Sequence, residues 1–189
     1  MSFVSGSKDK GRILLSLARS AISDALGQSL DGFVPHQEDW LQEKGACFVT
    51  LKMNGNLRGC IGSLEASRPL FEDVHANAVA AALHDPRFPP LTIDELVKVN
   101  IEVSLLSPMQ KLDVQGEEET IAELRPGEDG VVFQYGNRKA TFLPQVWEQL
   151  PDAHQFMTHL RIKAGLSPGF WHPDVLIYIY TIEKFSEEE

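Results

Sequence analysis

Two cysteines, Cys47 and Cys60, are the whole thiol complement of this 189-residue chain, and no Cys-x-x-Cys pair occurs. Two are too few for a four-cysteine zinc site, and the thiols are expected to be reduced. The six histidines are scattered. His154 and His159 are five apart, which rotates them off a common helical face, and His-Glu-x-x-His does not occur. His84-Asp85 at a helix end reads as a favourable C-terminal cation. Nothing here signals a metal site. Long apolar runs are missing too: no stretch approaches the ~20 apolar residues that cross a bilayer. The opening Met1-Ser2-Phe3-Val4-Ser5-Gly6-Ser7 has no signal-peptide core. The expectation is a cytoplasmic protein with no membrane association. Positive charge is scarce, with 17 Lys and Arg against 27 Asp and Glu and a net charge of −10. A field of that sign repels phosphate backbones and argues against nucleic acid as a partner. Also absent are a Walker loop, a dinucleotide glycine fingerprint and a Gly-x-Ser-x-Gly elbow.

What is present is an ordinary globular balance, 43% hydrophobic and 23% charged, enough for one domain with two lobes. The segments Glu117-Glu118-Glu119 and Glu187-Glu188-Glu189 read as solvated surface. Trp40, Trp147 and Trp171 are far apart and read as core or lobe contacts. The first seven residues read as frayed.

Leu14, Leu17, Ala18, Ala21, Ile22 and Ala25 have helical spacing, which predicts a helix over Lys8 to Leu26 stopped by Gly27. A loop through Asp31, Gly32 and Pro35 follows. Cys47 to Met53 is rich in strand formers, and Asn54-Gly55 is a strong hairpin signal. Ser67 reads as the cap of a helix with Pro69 in its first turn and an apolar stripe of Leu70, Val74, Ala78 and Ala81. Thr92-Ile93-Asp94-Glu95 reads as a capping box. Val99 to Leu106 reads as a strand with Ile101, Val103 and Leu105 on one face and Glu102, Ser104 and Leu106 on the other. A short helix is expected over Thr120 to Leu124. A second hairpin turns at Gly136-Asn137, and helical pieces follow near Gln145–Leu150 and Ala153–Ala164. One long strand is expected from Val175 to Phe185. Hairpins with helices between them indicate an α+β class with antiparallel sheets and flanking helices.

The segment Leu57-Arg58-Gly59-Cys60-Ile61-Gly62 stands out. A two-residue turn at Asn54-Gly55 sets Leu51 against Arg58 and Val49 against Cys60. A three-residue loop would set Cys60 against Thr50 instead. Two glycines weaken a strand, so Gly59 and Gly62 point to a bulge, a bend, or close approach of a backbone or ligand. They equally read as shaping the sheet alone. Arg58 carries a planar donor fork suited to a carboxylate or phosphate, or to a structural carboxylate such as Glu102. Arg68, Arg87 and the start of the Ser67 helix join the neighbourhood. Cys60 reads either as a reactive thiol or as a small buried residue.

With these residues in hand, the chain resembles the AMMECR domain family, the A component of the AmmeMemoRadiSam system. The resemblance is carried by Leu57–Gly62, Arg68-Pro69-Leu70, Asp73-Val74 and Asn77–Ala82. It continues through Asp85-Pro86-Arg87-Phe88-Pro89-Pro90-Leu91, Ile101–Ser107, Thr141–Val146, Lys163-Ala164-Gly165-Leu166 and Trp171. Residues 1–10 are expected to be a flexible N-terminus outside it. The resemblance implies an AMMECR-like domain over residues 11–186, a two-lobed α+β fold whose subdomains share a cleft. It further implies a pathway shared with Memo-like and radical-SAM proteins, without naming a reaction or a cofactor.

Two function classes stay open. In the first, an enzyme or binding protein takes a small anionic molecule. Arg58, Gly59, Gly62 and Arg87 hold the ligand, Cys60 is a thiol whose reactivity nearby positive charge would raise, and Glu102 or His84 moves a proton. In the second, the same surface is a non-catalytic protein–protein interaction module with Phe88 and Pro89-Pro90 as an apolar rim.

Overall fold

The computed structural model describes residues 3–28 and 38–187. The loop expected through Asp31, Gly32 and Pro35 lies outside them, as do His36, Glu188 and Glu189. In chain order the elements begin with α1 (Phe3–Ala25), α2 (Asp39–Gln42), β1 (Lys44–Gly45), β2 (Cys47–Met53) and β3 (Asn56–Gly62). Next come β4 (Arg68–Pro69), α3 (Leu70–Leu83), α4 (Ile93–Leu96), β5 (Val99–Leu106) and β6 (Gln110–Lys111). The chain continues with α5 (Glu117–Glu123), β7 (Gly130–Tyr135), β8 (Arg138–Phe142), a 3-10 turn (Pro144–Glu148) and α6 (Ala153–Lys163). It closes with β9 (Leu176–Tyr180) and β10 (Ile182–Ser186). The class is α+β, and the strand pairs whose register is recorded are antiparallel. Two compact units divide the chain: Met1–Leu106 with Glu183–Glu189, and Ser107–Ile182.

The first unit is built on a four-stranded sheet in the order β10-β5-β2-β3. Alternation in β2 sends Cys47, Val49 and Leu51 to one face, opposite Leu105, Val103 and Ile101 of β5. Leu14, Leu17, Ala18 and Ile22 of α1 and Val74, Ala78 and Ala81 of α3 bury against that face. Helical and strand periods thus meet in one core. α1 starts at Phe3 rather than Lys8, reaching into the stretch expected as a flexible N-terminus. The capping box forms as expected: Glu95 N–H donates to Thr92 Oγ1, and the Glu95 carboxylate accepts from Thr92 N–H.

Other expectations change. Ser67 does not cap α3, because the helix opens at Leu70. Pro69, with φ −52° and ψ 142°, is extended; Arg68 and Pro69 bridge to Gly45 and Lys44, and Leu70 N–H donates to Glu43 C=O. The expected strand Val175 to Phe185 is two strands, broken at Thr181. Thr181 turns its N–H to Ser107 Oγ and its C=O to Ser107 N–H, after which β9 pairs with β7 and β10 with β5. The hairpin register also differs. Asn54 (φ 53°) and Gly55 (φ 76°) form the two-residue turn, pairing Met53 with Asn56 and Lys52 with Leu57. The register then shifts, so that Leu51 meets Gly59, Thr50 meets Cys60 and Phe48 meets Gly62. Arg58 is the extra residue of a β-bulge, which carries Cys60 to the face of Thr50 rather than that of Val49.

The second unit has the sheet order β6-β9-β7-β8. Val131 and Phe133 of β7, Ile177 of β9, and Phe156, Met157 and Leu160 of α6 form its core. Trp147 is buried there, stacked on Phe156 with ring centroids 3.7 Å apart. Arg161 Nη1 on α6 donates to Glu117 across 2.6 Å, so the acidic run Glu117–Glu119 is not all solvated surface as expected. Arg161 is 2% exposed, which is why it needs an anion beside it.

Packing explains both glycines of β3. A Cβ on Gly59 would lie 2.2 Å from the Ala81 carbonyl oxygen of α3, and one on Gly62 would lie 2.3 Å from the Phe48 ring. By contrast, Gly55 has open space around it and only its positive φ to satisfy. Gly59→Ala is expected to cost about 3 kcal/mol or more by forcing α3 off the sheet, and Gly55→Ala about 1 kcal/mol. Urea unfolding of the two variants checks the order; equal losses would refute the close-contact account.

Candidate functional site at the open edge of the first sheet

β3 is an edge strand, so the outward N–H and C=O of Cys60 have no strand partner. Two side chains take their place. Asp85 Oδ2 accepts from Cys60 N–H at 2.9 Å, and Arg87 Nη2 donates to Cys60 C=O at 3.1 Å. The two are locked together, with Arg87 Nε and Nη2 on the Asp85 carboxylate at 2.9 and 2.7 Å. The Arg87 guanidinium holds Asp85, which is 4% exposed, far below the ordinary carboxylate range against the opposing effect of burial. Asp85 in turn raises Arg87. The segment after α3 thus acts as a strand partner made of side chains.

Arg58, in the bulge, is 7% exposed. Its Nε and Nη2 donate to Glu95 Oε1 and Oε2, each at 2.9 Å. The expected alternative partner, Glu102, is not the one used. The bulge takes Arg58 out of the strand alternation, and Glu95, fixed by the capping box on α4, receives it. The Arg58 hydrogen bonds, then that from Thr92 N–H, lower Glu95 from an ordinary 4.5 to about 2. Among the described residues, Arg58 Nη1 is buried with no hydrogen-bond partner. The guanidinium carbons of Arg58 and Arg87 lie 5.9 and 5.6 Å from the centroid of one ring, that of half-buried Phe88. These are cation–π distances.

Cys60, Thr50 and Glu102 form a row across β3, β2 and β5, on the face away from the two helices. Thr50 Oγ1 donates to Cys60 Sγ at 3.3 Å. Glu102 accepts from Lys52 Nζ at 3.1 Å and Ser186 Oγ at 3.2 Å, and pairs with Lys184 Nζ at 3.2 Å. Burial opposes its charge, but the two ammonium groups outweigh it and hold the carboxyl below its ordinary value. Cys60 and Glu102 thus share a sheet face with Thr50 between them, and Glu102 is held ionised and serves poorly as a proton donor. His84 is exposed at the end of α3, and its neighbour Asp85 is turned inward to Arg87.

Arg68 does not join this neighbourhood. Its Nε donates to Asp73, which is 1% exposed and also accepts from Cys47 N–H, Ser63 Oγ and Asn77 Nδ2. This second polar network ties α3 to the start of β2. Burial, then the Asp73 charge, pushes the Cys47 thiol well up. Among the described residues no three His, Cys, Asp or Glu side chains form a metal-holding group. No described helix is long and apolar enough to cross a membrane. Sequence reasoning missed Glu95, whose only visible signal was its capping position, and the role of Asp85, whose signal was its place two residues before Arg87.

A two-unit α+β domain, with a glycine-bearing edge strand capped by a downstream Asp-Pro-Arg-Phe segment, is the class this arrangement defines. The chain belongs to the AMMECR1 family, whose pattern matches residues 15–185. A protein of Methanothermobacter thermautotrophicus is 36% identical over 191 residues, covering 100% of both chains. Protein MK0488 of Methanopyrus kandleri is 38% identical, over 96% of this chain and 90% of that one. The crystal structure of the uncharacterized protein PH0010 from Pyrococcus horikoshii superposes with a TM-score of 0.80 at 34% identity, covering 94% of this chain and 91% of that one.

Two measurements check this geometry. Because Glu95 drops to about 2 on folding from an ordinary 4.5, its pair with Arg58 stabilises fully above 4.5 and is lost as pH falls through 2. Glu95→Gln is expected to be less stable than the parent by about 1–3 kcal/mol at neutral pH. That gap should close on acidification; a gap independent of pH would overturn the pairing. Half-buried Cys60 and fully buried Cys47 should also separate on alkylation. Native protein treated with iodoacetamide should carry one adduct, on Cys60, by peptide mass spectrometry. Modification of Cys47 at an equal rate would contradict the packing around Asp73.

Proposed function

We propose that the β3 edge binds a small anionic molecule, a carboxylate or phosphate, through Arg58 and Arg87. The carrying observation is the way each guanidinium is used. Each commits Nε and Nη2 to an internal carboxylate, Glu95 or Asp85, which fixes the plane of its fork. Among the described residues, Arg58 Nη1 is left buried without an acceptor. A buried donor without a partner costs about 1–3 kcal/mol, which an anion reaching it would relieve. Orientation by an internal carboxylate also lowers the entropy lost when the anion is bound. Phe88 supplies the apolar floor beneath both cations. Cys60 and Thr50 lie on the adjoining strand. Gly59 and Gly62 act by letting α3 and Phe48 come close rather than by touching the ligand.

A second reading, a protein-interaction module, rests on the exposed Leu57 of β3, Ile93 of α4 and Val97 just after α4, which are 43%, 48% and 81% exposed. The partners under that reading are the Memo-like and radical-SAM proteins of the implied pathway. Titration of ¹⁵N-labelled protein with inorganic phosphate separates the two. Saturable shifts of the Cys60, Arg87 and Phe88 amides are expected, weakened about tenfold by Arg87→Lys, which keeps the charge and loses the fork. An unshifted Cys60–Phe88 region, or an unchanged affinity in Arg87→Lys, overturns anion binding. The second reading would gain if Val97→Glu then abolished capture of a Memo-like protein.

A further inference from the structure

A cavity of about 480 Å³ opens at the tip of the β2–β3 hairpin, away from the Cys60 edge cap. Its walls come from Asn54 and Gly55 in the turn, Lys52 of β2, Val97 and Lys98 after α4, and Arg19 with Glu187. The volume suits a small molecule. Its charge runs against that of the chain. Among the described residues, three cations and one carboxylate line it, in a protein with 17 basic and 27 acidic residues.

The one carboxylate is already engaged. Glu187 accepts from Arg19 Nε at 2.6 Å, from Arg19 Nη2 at 2.5 Å and from Ile101 N–H at 2.8 Å. Arg19 Nη1 and Nη2 also donate to the carbonyls of Leu96 and Val99, so Arg19 and Glu187 together build the wall. Lys52 is shared: its Nζ reaches Glu102 and has two further protons. Lys98 is exposed. The donors left over are thus Lys98, the spare protons of Lys52 and the Asn54 amide. Beside them stands Val97, 81% exposed, a bare apolar wall.

We infer that this cavity is a second ligand site, for a small organic polyanion such as a di- or tricarboxylate, with carboxylates on Lys98 and Lys52 and a carbon face on Val97. Opposite charge in a concave, partly walled site also raises the local concentration of an anion that the rest of the surface repels. The site is separate from the Arg58–Arg87 edge, because it uses the outer end of α4 and the hairpin tip rather than Glu95.

The probe is citrate, titrated into the ¹⁵N-labelled full chain at constant ionic strength, with glycerol as the neutral control. Saturable shifts are expected at the Asn54, Gly55, Lys98 and Asn100 amides and none with glycerol. Lys98→Glu should weaken citrate about tenfold or more, and Lys98→Gln by a smaller factor. Lys98 is exposed and outside the core, so both variants should melt with the parent. Shifts that fail to saturate, or an affinity that Lys98→Glu leaves unchanged, overturn the site. The readout amides differ from Cys60, Arg87 and Phe88, so each of the two sites can fail without the other.

Discussion

A sheet edge presents a row of N–H and C=O groups that must find partners or invite another chain. In the first unit the edge is β3, and its middle residue is closed by Asp85 and Arg87 instead of a strand. Much of the local structure depends on that closure. Asp85 can reach Cys60 N–H only because α3 lies close over β3, and α3 lies close only because Gly59 has no side chain to strike Ala81. The edge cap and the glycine are one device. A charged pair suits the task better than an apolar cover, since it offers one acceptor and one donor at the spacing of a peptide unit.

The same device arranges the arginines. Arg87 cannot cap Cys60 without lying over Phe88, and the bulge that offsets Cys60 leaves Arg58 over the same ring. Two cations on one ring would repel each other, and the carboxylates of Asp85 and Glu95 neutralise that repulsion while fixing both forks. The outcome is a site that is stiff before anything binds. Its donors are oriented by hydrogen bonds within the protein, so under the proposed anion binding the ligand would not have to order them. At the hairpin tip Arg19 and Glu187 likewise use up each other's charge while holding the cavity wall.

In chemical terms the row Cys60–Thr50–Glu102 is less committed than it looked. Shared register brings the three side chains to one face, but two ammonium groups fix the state of Glu102, and Thr50 is the group that touches the thiol. The other thiol, Cys47, is closed off under α3 beside Asp73 and Asn77. The second unit carries its own version of a charged group made safe by position: Arg161, almost fully buried, meets Glu117 at the start of α5.

Local chemistry in the sequence was enough to place the bodies of α1, α3 and α6, both hairpins, the capping box at Thr92 and the alternation of β2 and β5, because each rests on contacts within a few residues. The same chemistry marked Leu57–Gly62 through its glycines, and it paired that strand with the Asp85–Leu91 segment as motifs without saying why they belong together. Tertiary structure decided the rest. The bulge at Arg58 moved Cys60 to the other face, and a one-residue shift of that kind follows from how strands and α3 pack, which no period in the sequence records. Glu95 replaced Glu102 as the partner of Arg58, across 37 residues of chain. Thr181 split one apolar run between two sheets, since hydrophobicity is the same whichever sheet receives it. Leu57–Gly62 was legible as a special strand from its composition; that it is special because it is an edge, closed by side chains from beyond the next helix, only the folded chain determines.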